Sequence, residues 1–358
     1  MPALSYGSPG SRTPHPGWEQ ASHPPHDARP RLNRLARLGM RMGWLSLVLM
    51  TPSLVHAACE PPPPPVRDIS AYRFYVDTAS SITDKTIMAR NRNSLATLDR
   101  TLNMIQTMAD QGAAGNTESA LCAGAWLSSW ARGGAMLGHM SSGQAEAERK
   151  WRTAGIAVSY LGIRKMVEEA DRVSIDAWLD TLADNVVADQ GWPRRRNNHV
   201  YWAGYAAGAV GTATGARRHL AYAKQAYDDA MTDIRPDGIL PMERARRQKA
   251  LDYHNFALAP LVMLAELAAL RGEDWYEKEG GAIHRLAARV LSGIRDPRGF
   301  AALVGESSVD LPRGGILGWL AFYERRFPER AKGAPAGPFR HSWLGGDATQ
   351  TAGLWIRR

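Results

Sequence analysis

At 358 residues, 44% of them hydrophobic, the chain is long enough for one large or two ordinary domains with a sizeable core. Its formal charge of +9 suits an anionic partner such as nucleic acid, anionic lipid or acidic polysaccharide, and the lack of any basic repeat or zinc-knuckle spacing argues against the first. Twelve Trp and eleven Tyr stand against six Phe, a bias toward rings that pair a flat apolar face with a polar handle.

In chain order, residues 1–39 read as a disordered extension or one created by a start assigned too early, since the first 30 are rich in Pro, His and Gly without periodicity. Met40 or Met42 makes a more ordinary beginning. A basic run (Arg31, Arg34, Arg37, Arg41) precedes the apolar GWLSLVLM of 43–50, and Val-His-Ala at 55–57 supplies the small residue needed before a signal-peptidase cut. Residues 40–57 are therefore expected to be an export signal, and 58–358 a single periplasmic or secreted domain. The apolar run is too short for a permanent anchor, and no later segment reaches about 18 continuous apolar residues. Six arginines and two acids precede the cut, leaving +5 of the +9.

Both cysteines, Cys59 and Cys122, follow the cut, and export with an even count predicts one disulfide. A lipid anchor on Cys59 is the weaker alternative, because His56 stands where that signal wants Leu. A bridge closing a loop of this length contributes about 4 kcal/mol in the chain-entropy model. It would pin the polyproline leader Pro61–Pro65 to the folded body.

Beyond the leader nearly every periodic segment has helical spacing. Leu95, Leu98, Leu102, Ile105 and Met108 recur at three and four and stop at Gly112. Residues 119–137, 145–169, 174–188, 199–212, 216–231, 243–271, 280–294 and 314–326 continue the pattern, and strand signals are nearly absent. An all-α domain follows, either a bundle or solenoid or a ring of helical hairpins, with no fixed period to favour a solenoid.

The sequence holds no HEXXH, no phosphate-binding GxxxxGK[ST] and no GxSxG elbow, so neither metal nor cofactor is expected. Two dense polar segments remain. RRRNNHVYW (194–202) leads into an Ala/Gly-rich helix, whose N-terminus favours an anion. Taken by position alone, the same residues read as a capped helix start with Asn198 as N-cap and a solvated His199. LPMERARRQKALDYHNFAL (240–258) places Arg246 and Tyr253 two turns apart on one face of a continuous helix, with Lys249 beside Arg246. Its plainer reading is an amphipathic helix with a charged face. Yet Tyr253, His254 and Asn255 stand where a buried run begins, an expensive place for polar groups unless they face a cleft.

The pair N-N-H-x-Y-W (Asn197 to Trp202) and R-R-Q-x-A-L-x-Y-H (Arg246 to His254) resembles polysaccharide lyase family 5, the alginate lyases. The Trp-rich SALCAGAWLSSWARGGAM (119–136) and LGGD (Leu344 to Asp347) extend the resemblance over roughly 58–350. It implies an α/α-barrel, an incomplete helical toroid with an open cleft. It further implies a monomer acting without metal or cofactor on an anionic polysaccharide, polymannuronate or alternatively glucuronan, and neither nucleic acid nor a membrane as partner. It assigns Asn198 and Arg246 to the substrate carboxylate, His199 and Tyr253 to proton handling, and Trp202 to the sugar. Arg196, Asn197, Tyr201, Lys249 and His254 complete the expected substrate-contacting set. The family's lid carries a Lys and a Tyr; here YRFYVDTASSITDK offers Tyr72, Tyr75 and Lys85 without a single match. Trp343 stands before LGG where many members carry Arg.

These residue types suit β-elimination. Removing the proton on carbon 5 of a uronate loads charge onto the adjacent carboxylate, which Asn198 can meet as donor and Arg246 as a fixed cation. A proton must also reach the departing oxygen on carbon 4. In β-mannuronate both events fall on one side of the ring, so Tyr253, acidified by Arg246, could serve both, with His199 assisting or acting as base. Guluronate, inverted at carbon 5, should react poorly. Two rivals remain: a glycoside hydrolase using two of Asp184, Asp189, Glu243 and Asp252, and a non-catalytic polysaccharide-binding protein.

Overall fold

The computed structural model describes residues 59–189 and 196–356. The expected extension and export signal, residues 190–193, Arg194 and Arg195 lie outside the described residues. Twelve helices appear among them: α1 (Lys85–Ala113), α2 (Thr117–Gly133), α3 (Gly143–Ile163), α4 (Glu169–Ala188), α5 (Asn198–Thr214), α6 (Arg217–Asp233), α7 (Pro241–Arg244), α8 (Ala250–Ala269), α9 (Lys278–Arg295), α10 (Pro297–Val304), α11 (Trp319–Arg326) and α12 (Ala348–Trp355). One short antiparallel pair, β1 (Arg340–His341) and β2 (Gly346–Asp347), accompanies them.

Starts follow ordinary capping chemistry. Asp84 accepts from the backbone N–H groups of Thr86 and Ile87, Asn116 from Ser119, and Ser142 from Gln144, each such cap contributing about 1 kcal/mol.

Burial sorts the helices into two layers. In α3, 17 of 21 residues are buried, and α5 and α8 are buried nearly all round, as only helices enclosed on every side can be. By contrast α6 buries one stripe, His219, Ala223, Ala226, Tyr227 and Ala230, spaced three and four apart. The inner helices α1, α3, α5, α8 and α11 pack in succession, and α2, α4, α6 and α9 back them. Between α11 and α1 the ring is bridged by β1, β2 and a 3-10 turn at Ser342–Leu344. Gly345 and Gly346, with φ of 92° and 96°, make the reversal between the strands that a side chain would strain.

The expected Cys59–Cys122 bridge is present, with Cα atoms 5.4 Å apart. It does not hold the leader alone: Trp126 Nε1 donates to Glu60 O at 2.8 Å, Met136 N to Val66 O at 2.8 Å, and Ile69 N to His139 O at 3.0 Å. The leader is thereby laid against α2 and the turn after it.

Three expectations change. Residues 243–271 are not one helix: α7 stops at Arg244, a 3-10 turn covers Arg247–Lys249, and Arg247 takes φ of 53°. That left-handed residue interrupts the helix, so Arg246 and Tyr253 meet across a bend rather than along a face. The N-cap of α5 is Asn197 rather than Asn198, its side chain accepting from His199 N at 3.0 Å. Finally, α10 and α12, each eight residues long, carry too few turns for periodicity to single them out.

Candidate active site

A cavity of about 220 Å³ opens at the end of the ring where α5 and α8 begin. Its size, below the usual range for drug-sized ligands, suits a single sugar ring. Arg73, Phe74, Tyr75 and Ser80 cover it, α3 contributes Gln144, Glu148 and Trp151, α5 contributes Asn198 and His199, and the chain from α7 into α8 contributes Arg246, Asp252, Tyr253 and Phe256. Trp343 closes the remaining side.

With Asn197 as cap, Asn198 and His199 occupy the first turn of α5, where N–H groups lacking an acceptor within the helix and the helix dipole favour an anion. One is already there: Glu243, fully buried on α7, accepts from Asn198 N at 2.9 Å, and from Asn198 Nδ2 at 3.0 Å on Oε1 and 3.1 Å on Oε2. Arg246 Nε lies 3.6 Å from Oε2 of the same carboxylate. Burial pushes the Glu243 carboxyl up, opposed by Arg246 and Asn198.

The Arg246 guanidinium sits 4.6 Å from the centre of the Tyr253 ring, a cation–π distance. Tyr253 Oη donates to Tyr75 Oη at 2.7 Å. The expectation of an acidified phenol is overturned: burial, then the Tyr75 hydroxyl, hold Tyr253 well above its ordinary value, and Arg246 opposes them without prevailing. Tyr253 is thus a protonated donor at neutral pH.

His199 is held the other way. Burial, then Lys150 and Arg246, depress it well below 6.5, so the imidazole is neutral. Its ring stacks on Trp151, 6.3 Å between centres at 24°, and Trp151 stacks on Trp343, 4.5 Å at 24°. Gly155 permits that stack, since a Cβ there would fall 1.8 Å from Ser342 O, the residue before Trp343.

The covering segment holds its own shape. The Asp77 carboxylate accepts from Ser81 N and Ile82 N, both at 2.8 Å, Tyr75 pairs with Thr83, and Arg73 Nη2 donates to Ser80 Oγ at 3.1 Å. Arg246 Nη1 reaches Ala79 O at 3.5 Å.

Several residues expected at the substrate are elsewhere. Trp202 is fully buried beneath the cavity and donates from Nε1 to Phe256 O at 3.0 Å. Tyr201 is buried with its hydroxyl on Asp233, and Arg196 pairs with Asp229 and Asp233 of α6. Buried His254 accepts from Leu240 N at 3.0 Å and keeps Nδ1 on Ala250 O, a brace for the bend before α8. Tyr72 lies under Arg90, and Lys85 is exposed at the first residue of α1. Lys249 pairs with Asp310 in a neighbouring groove that shares only Asp252 with the cavity. Asn197 is consumed as a cap. Around the two motifs, neighbours in sequence were expected at the substrate, although adjacent helical positions point about 100° apart; Tyr72 and Lys85 were expected from the lid segment, of which Tyr75 lines the cavity.

Similarity to known proteins agrees with this geometry. A family profile described as alginate lyase matches residues 68–300. The chain belongs to the alginate lyase family. A "Polysaccharide lyase" of Stenotrophomonas maltophilia is 40% identical over 323 residues, covering 88% of this chain and 96% of the relative. An "Alginate lyase" of Azotobacter vinelandii is 35% identical over 266 residues, 69% of each chain. Among solved structures, a histidine-to-alanine variant of alginate lyase A1-III complexed with tetrasaccharide is similar with a TM-score of 0.70 at 25% identity, over 82% of this chain and 85% of that one. The enzyme from Sphingomonas species A1 itself gives 0.67 at 25% identity, over 82% and 86%. The α/α-barrel expectation therefore holds, and the chain is a polysaccharide lyase.

As an alginate lyase it keeps cavity residues that the sequence motifs did not reveal. Gln144, Glu148 and Trp151 fall at i, i+4 and i+7 of α3, one face of a helix buried all round. Polar residues repeating on a face of an otherwise enclosed helix were the available signal. Arg73, Phe74, Ser80 and Phe256 left none, being placed by the covering loop and the bend before α8.

Proposed function

We propose that the enzyme cleaves polymannuronate, and glucuronan as a second substrate, by β-elimination, with Asn198 and Arg246 at the carboxylate, Tyr253 donating to the oxygen on carbon 4 and His199 accepting the proton from carbon 5. The observation that carries this reading is one cavity lined by Asn198, His199, Arg246 and Tyr253, with the Arg246 guanidinium 4.6 Å from the Tyr253 ring; burial there favours a protonated phenol and a neutral imidazole. A pair whose environments push acid and base apart in this way supplies one donor and one acceptor at neutral pH. Tyr253 serving both steps would require its phenolate, which burial disfavours. Export to the periplasm is part of the proposal, supported by the signal pattern at 40–57 and by the disulfide.

The test is ultraviolet absorbance of the conjugated unsaturated uronate, followed on pure polymannuronate, glucuronan and polyguluronate. Growth of absorbance on the first two, with polyguluronate far slower, is expected, because guluronate presents its carbon-5 proton to the other face. Rapid cleavage of pure polyguluronate would overturn the stereochemical assignment.

Asp252 gives a pH signature. Burial pushes its carboxyl up to about 6; Asp310 adds to the rise and Lys249 opposes it. Below that pH it is neutral; above it, a negative charge stands in the cavity wall facing a polyanion. KM for polymannuronate is therefore expected to rise by about threefold or more between pH 5 and 8, and Asp252→Asn to flatten that rise. An unchanged KM profile in Asp252→Asn would show that the charge does not reach the substrate.

A further inference from the structure

We propose that Glu243 is a positioning residue for this reaction, its buried carboxylate holding Asn198 and Arg246 in one frame so that both meet the same substrate carboxylate; this rests on the reading of the site given above. Glu243 does not itself line the cavity. It is fully buried, and from 45 residues along the chain it holds both backbone and side chain of Asn198 at the start of α5, together with Arg246 from the bend after α7.

A charge so enclosed is costly, and an apolar residue of similar volume would often serve stability as well. What an apolar residue cannot do is orient an amide. The Asn198 Oδ1 atom is buried and meets no other hydrogen-bonding group among the described residues, so the contact of Nδ2 with Glu243 alone decides which way the amide faces. One hydrogen of Nδ2 goes to the carboxylate, and the second is left for a ligand in the cavity that Asn198 lines. If the amide turned over, Oδ1 would face the Glu243 carboxylate, acceptor against acceptor, while the substrate carboxylate would lose its donor. Glu243 also lies three residues before Arg246 and holds its Nε edge, while the outer Nη1 makes only a long 3.5 Å contact with Ala79 O that a substrate carboxylate would replace.

Glu243→Gln keeps the shape but replaces one acceptor oxygen with a donor. On polymannuronate it is expected to lower kcat/KM about 10²-fold, mostly in kcat, the loss typical of one displaced preorganised donor. Glu243→Asp, which keeps the charge on a shorter stem, should recover part of that loss. The decisive comparison is with Asn198→Ala: if Glu243 acts through Asn198, the double variant should be little worse than Asn198→Ala alone. A purely structural role would instead lower the melting temperature and the yield of folded enzyme while leaving kcat and KM per folded molecule as in the wild type.

Activity of Glu243→Gln within about threefold of wild type, or losses that multiply in the double variant, would overturn the proposal; should the Gln variant not fold, the double-variant criterion is applied with Glu243→Asp in its place. A wild-type enzyme that forms no unsaturated product would sink the elimination reading instead. Glu243 would then be judged by calorimetric binding of a saturated mannuronate oligomer, which Glu243→Gln should weaken at least tenfold and which an unaffected affinity would refute.

Discussion

Tyr253→Phe is expected to lower kcat by at least about 10²-fold, the range for a lost general acid, while the affinity for uncleaved polymer stays within about threefold. The change removes only the hydroxyl that Tyr253 shares with Tyr75 at 2.7 Å. The ring remains against Phe256, 6.0 Å between centres, and under the Arg246 guanidinium at 4.6 Å. Stopped-flow absorbance for turnover and calorimetry for binding separate the two quantities. A variant that keeps more than about a tenth of wild-type turnover would remove Tyr253 from the proton-transfer step.

Arg246→Ala is expected to cost about 10²–10³ in kcat/KM on every polyuronate the enzyme cleaves, because the guanidinium acts at the carboxylate all of them share. Arg246→Lys should recover little, since a point charge on a flexible stem lacks the planar fork. The alanine variant should also lose stability, by about 3 kcal/mol or less, because Glu243 is then buried with Asn198 as its remaining partner; thermal unfolding measures that part separately. If Arg246→Ala merely alters the ratio of rates between polymannuronate and glucuronan, its place at the carboxylate is wrong.

Both predictions rest on residues that the family resemblance singled out and that their surroundings make conspicuous. Asn198 and His199 open an Ala/Gly-rich helix, and Tyr253 interrupts an apolar run, so each is a polar group where burial alone would not put one. Arg246 was legible as to type but not as to route. A continuous helix would have stacked it above Tyr253 along one face; instead the left-handed Arg247 bends the chain and brings the guanidinium over the ring from the side. The charged neighbours misled most. Arg196 and Lys249 look like substrate contacts beside the motifs, yet ion pairs with Asp229, Asp233 and Asp310 hold them outside the cavity.

The sequence by itself determined the helical class, the run of the main helices and the pairing of Cys59 with Cys122, because periodicity and cysteine count are local properties, and its paired motifs carried, through the family resemblance, the four polar residues that line the cavity. Tertiary structure alone decided the rest. It decided that Trp202 lies under the cavity while Trp151 and Trp343 line it, and that Glu243 serves Asn198 and Arg246 instead of meeting a sugar. It also decided that burial protonates Tyr253 and neutralises His199. The reason is physical: a side chain's direction and its titration depend on what the ring of helices packs around it, and those neighbours come from α3, α7 and the 3-10 turn at Ser342–Leu344, distant in sequence from the motifs they complete.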